Sequence, residues 1–123
     1  MDIGSDLADM GLTYLRAGDV RAACAIAEEI EALPAPALES VMFPQNVLWS
    51  AAQIYAAAQL QEPYERALQR ATAMYDERCA KIPEGPWRET YRLLFFNRQI
   101  HEADAQAQHS DAIRTAGGVH SGA

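Results

Sequence analysis

The chain has 123 residues, half of them hydrophobic, which is enough for one domain with a modest core and argues against disorder throughout. Its net charge of −7 argues against nucleic acid or an anionic membrane as the main partner. No apolar run approaches the roughly 20 residues that span a bilayer, and the start shows no signal peptide, so the cytoplasm is the expected compartment.

Alanine dominates the apolar residues and β-branched residues are few, a composition that favours packed helices over a sheet. The first predicted helix, residues 5–17, is capped by Ser5 and stopped by Gly18. The second, residues 19–33, is capped by Asp19 and ends before a proline. Both carry apolar residues at the 3–4 spacing of one helical face.

The middle of the chain predicts a connection and two more helices. Three prolines lie in residues 34–45, which we therefore expect to be a connection with at most a short turn. Asn46 starts the third predicted helix. The fourth starts at Pro63, because a proline at the first helical position loses no hydrogen bond, and it ends before Pro83.

The last predicted helix opens at Gly85-Pro86 and carries apolar residues on two faces, so we expect it to be covered on two sides or to bend. After Glu102 the apolar pattern thins to alanine and glutamine. We therefore predict one helical-repeat domain over residues 1–110 and a disordered tail over residues 111–123.

A pattern of small and aromatic residues typical of tetratricopeptide repeats occurs twice. The first copy reads Leu7-x2-Met10-Gly11-x2-Tyr14, then Gly18-Asp19, then Ala23-x3-Ala27. The second copy reads Leu48-x2-Ala51-Ala52-x2-Tyr55, then Tyr64-x2-Ala67-x3-Ala71.

The small residues have a steric purpose in this pattern. Gly11 and Ala23 let two antiparallel helices touch, and Tyr14 fills the gap beside them. The second copy is degenerate, because Gln59 replaces the turn glycine and the turn, residues 60–63, is longer. The resemblance implies an all-α fold of tetratricopeptide-repeat type: two antiparallel helical hairpins plus a C-terminal capping helix, as in a fragment of an α-solenoid.

A more particular resemblance is carried by Leu7-Ala8-x-Met10-x7-Gly18-Asp19, Ala71-x3-Tyr75-x-Glu77-Arg78-x-Ala80-x-Ile82-Pro83, Trp87-Arg88-x2-Tyr91 and Asn97-Arg98-Gln99-Ile100. With these stretches, residues 5–101 resemble the C-terminal end of the helical-repeat region in large bacterial signal-transducing ATPases associated with LuxR-type, SARP-type or nucleotidyl-cyclase domains. The family often breaks its last helix at a proline-containing segment, which here reads Leu94-Phe95-Phe96. The ATPase and output domains are not in this sequence, so the resemblance implies an interaction or regulatory module, either a fragment or a free-standing relative, without inherited activity.

Residue types used in catalysis and metal binding lack the necessary spacing. Gly117-Gly118 is not followed by the Lys-Ser or Lys-Thr of a phosphate loop. His101 and His109 do not have the i, i+4 spacing of a helical zinc pair. Cys24 and Cys79 lie in Ala-rich helical stretches, where a free thiol acts as a small hydrophobe. We therefore predict no enzymatic activity, no cofactor and no metal.

The preferred interpretation is a protein–protein interaction module that binds a peptide or helix in the groove lined by the first helix of each hairpin. Carried over by position from tetratricopeptide proteins, that groove holds Ala8, Leu12, Leu15, Arg16, Asn46, Trp49 and Gln53, with Ser5 beside them. We expect Trp49 to bind the partner, because it lies off the packing face of Leu48 and Tyr55. The alternative is that the capping helix buries Trp49 against Phe95 or Phe96.

A second interpretation is structural: the chain stacks on further repeats or on a second copy and binds no external ligand. Stable stacks usually need about three repeats, and the repeat end beside Ile3, Leu12 and Leu15 would otherwise stay uncovered. Basic residues gather in the stretch 62–98, but six acids lie there too. We interpret this stretch as a salt-bridged surface, with Glu62 facing the arginines one and two turns on.

Overall fold

The computed structural model describes the backbone of residues 2–121 and the side chains of residues 2–113, and in that part of the chain it shows helices and no strand. The helices are α1 (Ile3–Arg16), α2 (Val20–Glu31), α3 (Ala35–Glu39), α4 (Pro44–Ala57), α5 (Gln61–Ala80), α6 (Pro86–Arg92) and α7 (Phe95–Ser121). The all-α class predicted from the Ala-rich composition is confirmed.

Helices α1 and α2 form the first hairpin, and an aspartate caps each of them. Asp2 accepts a hydrogen bond from the Ser5 N–H at 2.6 Å, so α1 begins at Ile3 and the prediction of Ser5 as its cap is wrong. Asp19 accepts from the Ala22 N–H at 3.1 Å, which confirms the predicted cap of α2. An aspartate side chain outcompetes Ser5 here because a charged acceptor also favours the positive end of the helix.

Gly11 lies where α1 meets both α2 and α4. A Cβ atom placed on Gly11 would lie 2.8 Å from Ile54 Cδ1 and 3.1 Å from Ile26 Cγ2. Both distances are well inside carbon–carbon contact, so a side chain at this position would require the Ile54 and Ile26 side chains to move. Ala23 is completely buried in the same core. The steric purpose predicted for these two small residues is confirmed.

The proline-rich connection holds the short helix α3, and α4 begins at Pro44 rather than at the predicted Asn46. A proline suits that first position because its φ is already helical and its missing N–H has no partner to lose. Leu38 and Val41 from the connection are buried in the core.

Helix α4 is the centre of the core, because it packs against α1, α2, α5 and α7. Most of its side chains are buried, and the largest apolar ones are Val47, Leu48, Trp49, Ile54 and Tyr55. A helix that packs against other helices on most of its sides needs apolar residues on most of its sides.

The second hairpin, α4 and α5, is closed by a turn as short as that of the first. Gln59 adopts a left-handed φ of 60°, and the Leu60 N–H donates to Tyr55 O at 3.0 Å. Helix α5 therefore begins at Gln61, and the longer turn predicted over residues 60–63 is wrong. Pro63 lies in the first turn of α5, where N–H groups have no partner within the helix.

The last predicted helix bends, as one of the two expectations stated: α6 and α7 meet at an elbow formed by Leu93 and Leu94. Asn97 is completely buried behind the elbow. Its Nδ2 donates to Tyr91 O at 2.7 Å, and its Oδ1 accepts from Gln45 Nε2 at 2.9 Å. Asn97 thus adds a side-chain hydrogen bond to a carbonyl at the end of α6 that the Leu94 N–H also reaches, at 3.2 Å.

Helix α7 packs on α4 and α5, with Ile100 completely buried, and its backbone stays helical through Ser121. This helical backbone differs from the disordered tail predicted for residues 111–123. The side chains of residues 111–113 are exposed. The last two positions of the predicted tail lie outside the described residues.

Candidate interaction surfaces

The structure brings predicted groove residues from both hairpins together at one end of α1 and α4. A cavity of about 130 Å³ is lined by Ser5 and Ala8 from α1, by Asn46 from α4, and by Met42, which is 76% exposed. Ligand pockets usually measure roughly 300–1,000 Å³. This end of the groove is therefore large enough for one small side chain only.

The other predicted groove residues are divided between the core and the surface. Ala8 is buried, while Leu12 and Leu15 are half-buried against the core. Gln53 is also half-buried, and Arg16 is exposed with its Nε donating to the backbone of its own helix. The predicted groove offers a partner a narrow strip of side chains.

Trp49 is a core residue, and its assignment to an open groove is wrong. It is only 9% exposed, and its indole Nε1 donates to Gln99 Oε1 on α7 at 2.9 Å. Buried tryptophans usually find such an acceptor for their N–H. The C-terminal helix covers Trp49, as the alternative expected, but with Gln99 as the hydrogen-bond partner, while Phe95 is 74% exposed.

A larger concave surface lies where α5, α6 and α7 meet. Two neighbouring cavities of about 410 and 270 Å³ share Tyr75, Arg92 and His101, and we call them together the elbow cleft. Its other lining residues are Asp76, Cys79, Ala80, Arg88, Leu93, Arg98 and Glu102. Each cavity is larger than the one in the groove and has room for a large side chain.

The elbow cleft gathers basic side chains in a protein that is acidic as a whole. Arg88 is held by the structure, because its Nε donates to a backbone carbonyl just after α5 at 2.7 Å. Arg92 makes a 3.4 Å ion pair with Glu89. Arg98 and His101, in contrast, have no hydrogen-bond or ion-pair partner among the described residues. Their donors are available to an external acceptor.

Large apolar side chains stand exposed on the two helices that meet at the elbow. Leu93 lines the cleft and is 60% exposed, and Phe95 lies one turn before Arg98 on α7. Trp87, next to Arg88 on α6, is 80% exposed. Sequence reasoning placed these aromatic residues on packing faces and missed the surface. The available signal was the apolar pattern on two faces of the last helix, because a single packing contact with the core cannot bury both faces.

The outer face of α1 is a second exposed apolar surface. Ile3, Met10 and Tyr14 are exposed, and Leu7 between them is half-buried. Tyr14 was predicted to fill the gap beside Gly11 and Ala23, but its side chain remains 38% exposed on this face. Exposure of Ile3 agrees with the uncovered repeat end expected under the structural interpretation.

Glu31, at the end of α2, ties the first hairpin to the second. Arg66 donates to its two carboxylate oxygens at 2.7 and 2.9 Å, and the Tyr55 hydroxyl donates to the same carboxylate. Arg70 donates to Glu31 O at 3.2 Å. The hydrogen bonds from Arg66 and Tyr55 hold the pKa of Glu31 below its usual range. Arg66 was expected to face Glu62, and its partner is instead on the other hairpin.

Among the described residues, no three His, Cys, Asp or Glu side chains are grouped so that they could hold a metal ion. None of the described helices has the length and apolar character needed to cross a membrane. Comparisons with protein-family models, with curated proteins and with solved structures found no match. The function is therefore argued from the surfaces themselves.

Proposed function

We propose that this protein is a non-catalytic protein–protein interaction module whose main binding surface is the elbow cleft. The observation that carries the proposal is the exposure of Leu93 in a cleft lined by arginines, with Trp87 and Phe95 also exposed on the two helices that meet there. Tryptophan and arginine are enriched among the residues that dominate binding energy at interfaces. Clustered exposure of large apolar side chains is unusual on a surface that only meets water.

The chemistry of the cleft defines the kind of segment it accepts. Leu93 and the ring of Tyr75 provide an apolar wall, while Arg98 and His101 supply donors that have no partner among the residues whose side chains the structure describes. Tyr75 also offers a hydroxyl, which is neutral at pH 7 because its ordinary pKa is about 10, and burial raises that pKa further. A peptide or helix with an apolar side chain next to a carboxylate satisfies all of these groups, since guanidinium–carboxylate bonds are the strong, charge-assisted kind.

The frame that presents the cleft is, in this proposal, a helical repeat of tetratricopeptide type. Two features support it. Helix α4 packs against both helices of the first hairpin, and α7 packs against both helices of the second, so each hairpin meets the next helix in the same way. The turns at Gly18 and Gln59 share one left-handed conformation. The kinship with bacterial signal-transducing ATPases belongs to the same proposal and implies a regulatory, cytoplasmic setting.

A second candidate is the groove between α1 and α4. The observation that favours it is Met42, highly exposed at the rim of the cavity formed by Ser5, Ala8 and Asn46. Its small volume and the burial of Trp49 make it the weaker candidate. A partner held there would insert one small side chain and lie along a strip of half-buried leucines.

Selection of a displayed peptide library against the purified chain tests the proposal. We expect enriched peptides that combine apolar and acidic residues, and we expect Phe95→Ala and Leu93→Ala to weaken their binding by about tenfold or more. Ile113→Ala removes an exposed apolar residue elsewhere on α7 and is the matched control. Loss of binding in Met42→Ala with none in Phe95→Ala would move the site to the groove, and no enrichment at all would overturn the proposal.

A further inference from the structure

We propose that the occupant of the elbow cleft is a second copy of this chain, which inserts the outer face of its α1. This inference rests on the proposed function, because it names the partner of the same cleft. The copies would then associate head to tail, with each α1 face in the cleft of the next copy.

The outer face of α1 has the mixed character that the cleft requires. Helical spacing of about 100° per residue places Ile3, Leu7, Met10 and Tyr14 within a sector of about 60°. This sector lies between the buried stripe of small residues and the acidic side of the helix, where Asp6 is exposed next to Met10. The face therefore presents an apolar ridge bordered by a carboxylate.

The charge distribution along the chain favours this pairing. Residues 1–45 hold eight acids against Arg16 and Arg21. Two of the three arginines of the cleft are paired locally, Arg88 with Glu84 and Arg92 with Glu89, so Arg98 and His101 are the groups left to meet an external acid. Two copies in head-to-tail contact bring the acidic end of one against Arg98 and His101 of the other, whereas contact between two acidic ends would bring charges of the same sign together.

The positions of the two surfaces also fit. Helix α4 lies between α1 and α7, packing against both, so the α1 face and the cleft are on different sides of the core. Two different patches generate a heterologous contact, which leaves one free surface of each kind at the ends of the assembly. Stacking of this kind would also cover Ile3 and Tyr14, which are exposed among the described residues.

Sedimentation of the full chain over a range of concentrations tests the inference. We expect the mass to rise above the monomer value of 13.5 kDa as concentration increases. Met10→Lys spoils the α1 face and Phe95→Lys spoils the cleft, so each variant alone should associate about tenfold or more weakly. Both positions are exposed, and circular dichroism should show unchanged helix content in each variant.

Mixing the two variants gives the decisive result. The Met10→Lys chain keeps an intact cleft and the Phe95→Lys chain keeps an intact α1 face, so the mixture should form a one-to-one pair that neither forms alone. A wild-type chain that stays monomeric, or an association that both variants retain, would overturn the inference. In the monomeric case the peptide selection still decides the proposed function, because a cleft that enriches peptides binds a partner other than itself.

Discussion

Gly18 and Gln59 end the first helix of their hairpins in the same way. Both have a positive φ, 83° and 60°, and in each case the following residue donates its N–H to the carbonyl five residues before it, with lengths of 2.9 and 3.0 Å. In each turn, this bond and the bond donated by the N–H of the left-handed residue itself form the Schellman arrangement. Gln59 thus does at the second hairpin what a glycine does at the first.

Replacing Gln59 with glycine should stabilise the protein. A left-handed backbone costs a residue with a Cβ about 1–2 kcal/mol, which glycine would relieve. The greater freedom of glycine in the unfolded chain offsets about 0.5–1 kcal/mol of this stabilisation. We expect Gln59→Gly to raise the free energy of unfolding by about 0.5–1 kcal/mol in urea titrations. Gln59→Ala keeps the strain and is the control. Equal stability of the glycine and alanine variants would contradict the explanation.

Replacing Gly11 with alanine should destabilise the protein despite the better helix propensity of alanine. The added Cβ would lie 2.8 Å from Ile54 Cδ1, and overpacking of a core typically costs about 1–3 kcal/mol. Ile54→Val removes that methyl group and by itself costs about 0.5–1.5 kcal/mol. We expect the double variant to be more stable than the sum of the two single losses predicts. Additive losses in denaturant unfolding would show that the clash is not with Ile54.

The parts of the fold that sequence reasoning predicted are set by neighbours along the chain. Asp19 caps its helix through a residue three positions on, and Gly18 allows a turn by its own conformation. The helical class itself follows from alanine content. The short turn at Gln59 was not predicted, because glycine is preferred at a left-handed position but is not the only residue that can adopt it. The hydrogen bonds of the turn hold a glutamine there.

The site was harder to predict because distant residues decide it. Trp49 lies off the packing face of its own hairpin, and Gln99 of α7, 50 residues later in the chain, bonds to it. The elbow itself depends on Asn97 and Gln45, which lie 52 residues apart. A repeat alignment assigns residues to the faces of one helix. It does not predict which of those faces the last helix covers, because that depends on the direction α7 takes after the elbow.

Acid should weaken the protein partly through Glu31. Its pKa is lowered in the folded state, so its stabilising contribution is complete above the ordinary glutamate pKa of about 4.3 and is lost as pH falls through the lower folded value. We expect Glu31→Gln to lose about 1–2 kcal/mol at pH 7, since Arg66 is partly exposed and its bonds are weakened by water. The difference in the free energy of unfolding between Glu31→Gln and the wild type should decrease towards pH 3. A gap that stays constant with pH would rule out the ionised carboxylate as the source.

The two tryptophans should report opposite environments. Trp49 is buried against α7 and Trp87 is exposed on α6. In Trp87→Phe, the remaining Trp49 should emit at short wavelength and resist quenching by acrylamide. In Trp49→Phe, the remaining Trp87 should emit like an indole in water and be readily quenched.

Replacing each tryptophan with alanine should have very different effects on the free energy of unfolding. Trp49→Ala removes a large core side chain and should cost about 3–5 kcal/mol, enough to unfold much of a domain of this size. Trp87→Ala should change the free energy of unfolding by no more than about 0.5 kcal/mol, as surface substitutions do, while weakening peptide capture by the elbow cleft. A stable Trp49→Ala variant with bright, protected emission from Trp87 would mean that α7 packs elsewhere, and the elbow cleft would lose its wall.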